Sequence, residues 1–79
     1  MGWGKGVVEQ ALTARQREIA IHVAEGLTNE EIADRLVLSP GTVANHLAQI
    51  MRRLGVRNRV QVAVWAVEQG LRGQSGSAS

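Results

Sequence analysis

"SPGTVANHLAQIMRRLG", residues 39–55, is the stretch whose reading decides the fold. Ser39 before Pro40 marks a helix start. A serine hydroxyl takes one of the orphan N–H groups of the first turn, and a proline fits the first helical position because its missing N–H has no partner to lose there. Gly55 marks the stop, since glycine enters the left-handed conformation that closes a helix at little cost. Between them Val43, Leu47, Ile50 and Leu54 recur at the i, i+4, i+7, i+11 spacing of a buried stripe. The other side carries Thr42, Asn45, Gln49, Arg52 and Arg53. A helix so divided buries one face and offers the other to something.

Its neighbours are punctuated in the same way. Thr13-Ala-Arg-Gln16 and Thr28-Asn-Glu-Glu31 have the capping-box form, and Asn58-Arg-Val-Gln61 repeats it with asparagine. Gly26 and Gly70 are further stop signals. The spacing predicts helices at about 14–25, 29–36, 40–54 and 59–70, with no alternating strand pattern to compete. Ile19 and Val23, flanked by Leu12 and Leu27, give the first helix an inner stripe, and Ile32, Ala33 and Leu36 do so for the second. The fold expected is an all-α four-helix bundle. Only Val37-Leu38-Ser39 links the second and third helices, and so short a link forces the steep crossing of a helix-turn-helix. Ala33 and Val43 suit a close crossing, and Leu38 would plug the space between the two helices. The ends, "MGWGKG" and "RGQSGSAS", are Gly/Ser-rich, so 1–10 reads as a flexible segment and 73–79 as a disordered tail.

Composition excludes much. Seventy-nine residues make one small domain, which buries only roughly 60% of its unfolded surface. Cysteine is absent, so neither a disulfide framework nor a thiolate metal site is available. There is no Gly-rich phosphate loop ending in Lys-Ser/Thr, and the two histidines, 22 and 46, stand far apart. No catalytic residue, metal or cofactor is expected, and the chain does not read as an enzyme. No apolar run approaches the roughly 20 residues of a bilayer span, so no membrane partner is expected. Without Phe or Tyr, and with Trp only at 3 and 65, an aromatic base-stacking platform is excluded as well. The net charge of +2 is unevenly spread: residues 1–38 hold four basic and six acidic residues, whereas 39–79 hold five arginines against Glu68. The positive half is the one with the divided helix, which points to an anionic partner.

From Leu12 to Leu71 the chain resembles the LuxR-type (FixJ/NarL-type) helix-turn-helix domain of bacterial transcription regulators. The matching text is "LT.R..EI" at 12–19, "EGLTNEEIADRL" at 25–36, "LS..TV..HL..I..RLGV..R" at 38–59 and "A...GL" at 66–71. The resemblance places such a domain at about 11–72. It implies a cytoplasmic bacterial protein with double-stranded DNA as its partner, a homodimer through the fourth helix, and RNA polymerase as a further candidate partner. The chain departs from the family pattern at Gln16, where Glu is frequent, at Ala20 and His22, where larger apolar residues are preferred, and at Ala44, where Lys is common.

The resemblance puts the third helix in the major groove, with Gly41, Ala44, Asn45 and Ala48 facing the bases. Asn45 could pair with adenine, Ala44 or Ala48 could touch a thymine methyl, and Gln49 is a second candidate base reader. Backbone anchoring is expected from Thr28 and Asn29 at the start of the second helix, from Thr42, His46 and Arg53 at family phosphate positions, and from Ser39, Arg52 and Arg57 beside them. Thr28 and Ser39 have a sufficient structural role as caps. His22 reads as a core-edge histidine, and Arg15 and Glu18 as an intramolecular ion pair. In the fourth helix, "RVQVAVWAVEQG", Val60, Ala63, Val64 and Val67, with Leu71, form one apolar stripe that is expected to complete the core. Val62, Trp65 and Ala66 form a second, which with Gln69 is expected to be the dimer interface unless Trp65 folds back on Trp3 or Val7-Val8. The alternatives are a sigma-factor-like promoter reader and a helical bundle that binds protein rather than DNA.

Overall fold

A computed structural model describes residues 12–70 as four helices: α1 Ala14–Ala24, α2 Asn29–Leu36, α3 Pro40–Leu54 and α4 Arg59–Glu68. The bounds agree with the expected ones to within two residues. Residues 1–11 and 71–79, with Trp3, Val7, Val8 and Leu71 among them, lie outside the described residues.

Each helix starts where its cap residue stands. The Thr13 and Thr28 hydroxyls accept from the N–H groups of Gln16 and Glu31, whose side chains reach back to the cap N–H, so both capping boxes are complete. Ser39 and Asn58 accept from the N–H groups of Thr42 and Gln61, but the capping box expected at Asn58 is not completed, because the Gln61 oxygen takes the Arg57 N–H at 2.6 Å instead of the Asn58 N–H. The ends of α1, α2 and α3 share a different device. A six-residue loop closes each, with the N–H of Leu27, Leu38 and Val56 donating to the carbonyls of His22, Ala33 and Met51. Those three apolar residues fold onto the core, and Leu38 fills the turn as its position predicts. Gly26 and Gly55 supply the positive φ that such a closure needs, but at the end of α2 the left-handed residue is Val37, at φ 59° and 88% exposed. A β-branched side chain in that conformation is strained by roughly 1–2 kcal/mol.

α1 packs most extensively on α4, and α2 chiefly on α3. The core takes Leu12, Ile19, Ala20 and Val23 from the first unit, Ile32 and Ala33 from α2, Val43, Leu47 and Ile50 from α3, and Val62 and Ala66 from α4. The stripes read from the sequence in α1, α2 and α3 therefore face inward.

In α4 the expectation is reversed for all of the described stripe but Ala63, which is half-buried against the core. Val62 and Ala66 are fully buried, whereas Val60, Val64 and Val67 are 66, 49 and 63% exposed. Both stripes have helical spacing, so periodicity could not choose between them. What chooses is closeness: Ala66 and Ala20, both at zero exposure, belong to one cluster between the helices that pack most extensively, and small residues let two helix axes approach. Trp65 is half-buried and packs on the same cluster.

Candidate nucleic-acid interface

α3 turns one whole face to solvent. With Val43, Leu47 and Ile50 turned inward, Gly41, Ala44, Asn45, Ala48, Gln49, Arg52 and Arg53 are all exposed. Thr42 and His46 are half-buried along one flank. The front of this face is short-chained and close to the helix backbone. Among the described residues a Cβ built on Gly41 would meet only the Ser39 hydroxyl, 3.9 Å away, so none of them requires glycine there. Gly41 also keeps an uncommitted N–H: Pro40 has none, Thr42 gives its own to Ser39 Oγ, and Val43 donates to the Ser39 carbonyl. Ser39 and Thr42 further share a hydroxyl hydrogen bond of 2.9 Å.

The other expected anchors are placed unevenly. Arg52 and Arg53 lie in the last turn of α3, whose partial negative charge favours them, and Arg57 is exposed in the following loop. Arg52 and Arg57 form no ion pair with the described residues. His46 has its Nδ1 buried without a partner among the described residues, so a contact to an outside ligand falls to Nε2. At the start of α2 the picture is mixed. Glu31 already holds the Thr28 N–H, and Glu30 and Glu31 both stand in the first turn, so the helix end is largely complemented by its own carboxylates.

Arg59 adds to that corner something the sequence did not disclose. Its Nη1 donates to Asn29 Oδ1 at 2.8 Å and its Nη2 to the Leu27 carbonyl at 2.9 Å, tying the start of α4 to the start of α2. Because the Asn29 oxygen is taken by a group that can only donate, its NH₂ is the end left to meet an anion. The partners lie 30 and 32 residues apart, and no local pattern signals such a pair.

The remaining predicted residues fall into place or out of it. Gln49 is exposed but is engaged by the buried Gln16, whose Nε2 donates to Gln49 Oε1 at 3.1 Å. Arg15 pairs with Glu18 at 3.4 Å, and half-buried His22 with Glu25 at 3.0 Å. Val62 and Ala66 cannot form an interface with another molecule, because the core covers them completely. Gln69 is exposed as the C-cap of α4. Among the described residues no helix is long and apolar enough to cross a membrane, and no group of three or more His, Cys, Asp or Glu could hold a metal.

Comparison with known proteins bears on this geometry. The family described as GerE, "Bacterial regulatory proteins, luxR family", matches residues 10–66. The transcriptional regulatory protein LnrK of Bacillus subtilis is 42% identical over 60 residues, which is 76% of this chain and 27% of that protein. The DNA-binding transcriptional activator DevR/DosR of Mycobacterium tuberculosis is 42% identical over 57 residues, 72% of this chain and 26% of that protein. The putative HTH-type transcriptional regulator YhjB of Escherichia coli is 49% identical over 55 residues, 70% of this chain and 28% of that protein. The chain thus spans about a quarter of the length of these relatives. No match to a solved structure was found. With the family match covering α1 to α3 and most of α4, the chain belongs to the LuxR family of bacterial regulatory proteins.

Proposed function

We propose that the chain is a DNA-binding transcriptional regulator, or the output domain of a longer one, acting in the bacterial cytoplasm. α3 lies in the major groove, about 12 Å wide and able to admit a helix. The single observation that carries this reading is the division of α3, with its inner stripe sealed in the core and a continuous exposed face from Gly41 to Arg52. That face is compact in front and cationic at its end, which suits close approach to base edges with anchoring on phosphates. Asn45 is the base reader, with Ala44 and Ala48 against thymine methyls. Thr28, Asn29, Ser39, Thr42, His46, Arg52, Arg53 and Arg57 face the backbone, where contacts orient without specifying sequence.

The test is Ala48→Glu, assayed with a labelled mixed-sequence duplex by fluorescence anisotropy at low salt. Ala48 is exposed, so the fold should be untouched, while a carboxylate inside the groove should abolish binding. Unchanged affinity would place the DNA elsewhere. Failure of the parent chain to bind any duplex would favour a protein-binding bundle instead.

Dimerisation belongs to the same proposal, with its surface moved. The exposed stripe of α4 is Val60, Val64 and Val67, at i, i+4 and i+7, and a second copy of the chain seated there would set two α3 helices on half-sites about one DNA turn apart. Val64→Asp followed by sedimentation equilibrium checks it. A mass equal to that of the parent chain at every concentration would remove the dimer.

A further inference from the structure

Gln16 and Gln49 lie 33 residues apart, one on α1 and one on the exposed side of α3, and their side chains meet. Gln16 is only 3% exposed, and both ends of its amide are committed. Its Oε1 accepts from the Thr13 backbone N–H at 3.1 Å, and its Nε2 donates to Gln49 Oε1 at 3.1 Å. The orientation of this chain of bonds is fixed by chemistry. A backbone N–H can only donate, so the end of Gln16 that meets it is the oxygen, and the end that meets Gln49 is the NH₂. Gln49 must then turn its own oxygen inward and its NH₂ outward.

We infer that Gln16 is a positioning residue that poles the Gln49 amide, so that Gln49 offers DNA hydrogen-bond donors and no acceptor. The inference rests on the reading of α3 as the DNA-facing helix. Gln49 lies one turn beyond Asn45, at i+4 on the same exposed side. A free glutamine can pair with adenine through both ends of its amide, accepting from N6 and donating to N7. With its oxygen held by Gln16, Gln49 loses that pairing and meets an acceptor only. Acceptors on DNA are phosphate oxygens and, in the major groove, guanine N7 and O6, thymine O4 and adenine N7, so adenine is reached through one bond in place of two. The group that decides Gln49's preference thus lies on another helix, buried, with no contact to DNA of its own.

The inversion of this relay is its test. In Gln16→Glu one carboxylate oxygen keeps the Thr13 N–H, since glutamate serves a capping box as well as glutamine does. The other oxygen can only accept, so it recruits the Gln49 NH₂ and turns the Gln49 oxygen outward. The whole chain, with Gln16→Glu, Gln49→Ala and the double variant, is used first to select from randomised duplexes and then to bind one fixed duplex. If Gln49 meets a base, Gln16→Glu should raise the preference at one base pair for adenine or cytosine, which present an amine donor, over guanine or thymine, which present only acceptors, by about fivefold, the worth of one hydrogen bond. If it meets a phosphate, selection should stay unchanged, and Gln16→Glu should weaken binding about fivefold more with Gln49 present than in the Gln49→Ala background. That background isolates the effect of the added charge alone.

An equal loss in both backgrounds with unchanged selection overturns the relay and leaves the DNA-binding reading standing. No binding by the parent chain at low salt overturns both. Should Gln16→Glu fail to fold, Gln49→Glu presents an oxygen outward with Gln16 intact, at an exposed site where folding is insensitive. It should shift selection the same way, or weaken binding to a duplex contacted through phosphate. Wild-type selection and affinity in that variant would overturn the proposal.

Discussion

Which face of α4 is the inner one has a sharp energetic consequence. Val62→Ala removes two buried carbons, worth about 1.6 kcal/mol of transfer free energy at roughly 0.8 kcal/mol each. The void they leave adds about 1 kcal/mol, because the fully enclosed site can collapse only in part. The expected destabilisation is about 2–3 kcal/mol. For a domain of this size the urea midpoint should fall by about 2–3 M at an m of about 1 kcal/mol/M. The melting temperature should fall by about 10–20 °C. Val64→Ala makes the same chemical change on the half-exposed side and should stay within about 0.5 kcal/mol. Both substitutions gain the same small helix propensity, so the difference between them is free of it. Circular dichroism during urea titration, at concentrations low enough to hold any dimer apart, gives both numbers. Equal losses, or a larger loss at Val64, would refute this placement of α4 against α1.

Other consequences follow from single residues. Val37→Asn should raise stability by about 1 kcal/mol, read as a higher melting temperature, because asparagine tolerates the left-handed conformation that valine resists. Gly41→Ala should leave the fold intact or stabilise it by up to about 1 kcal/mol, its Cβ meeting only the Ser39 hydroxyl, yet weaken duplex binding where the helix backbone approaches DNA closely. Arg59→Met should cost about 2 kcal/mol in urea titration, since it strips the Leu27 carbonyl and the Asn29 amide of charged donors.

What the sequence disclosed and what it withheld divide along the range of the interactions. Helix starts were legible because Thr13, Thr28, Ser39 and Asn58 act on groups three residues away and each accepts from the N–H the spacing predicts, although the box expected at Asn58 stays half made, Gln61 accepting from the Arg57 N–H in place of the Asn58 N–H. The inner stripe of α3 was legible because Val43, Leu47 and Ile50 have no rival on the other side. α4 carries two apolar stripes of helical spacing, and only its packing on α1 reveals that Val62 and Ala66 lie inside. The closure of α2 at Val37 carried no glycine to announce it. Within the candidate site, residue types and exposure were foreseen for α3. The partners that orient Asn29 and Gln49 were not, since Arg59 and Gln16 reach them from distant parts of the chain.

The measurement that tests the central claim most directly is the salt dependence of duplex binding, with and without Arg52. If Arg52, Arg53 and Arg57 each neutralise one phosphate, the slope of log affinity against log salt should be about −2.7 per chain, or about fortyfold between 50 and 200 mM. Arg52→Ala should reduce the slope by about one, leaving a change of about twelvefold. A parent slope near zero, or a slope that Arg52→Ala does not alter, would contradict the docking of α3 on DNA.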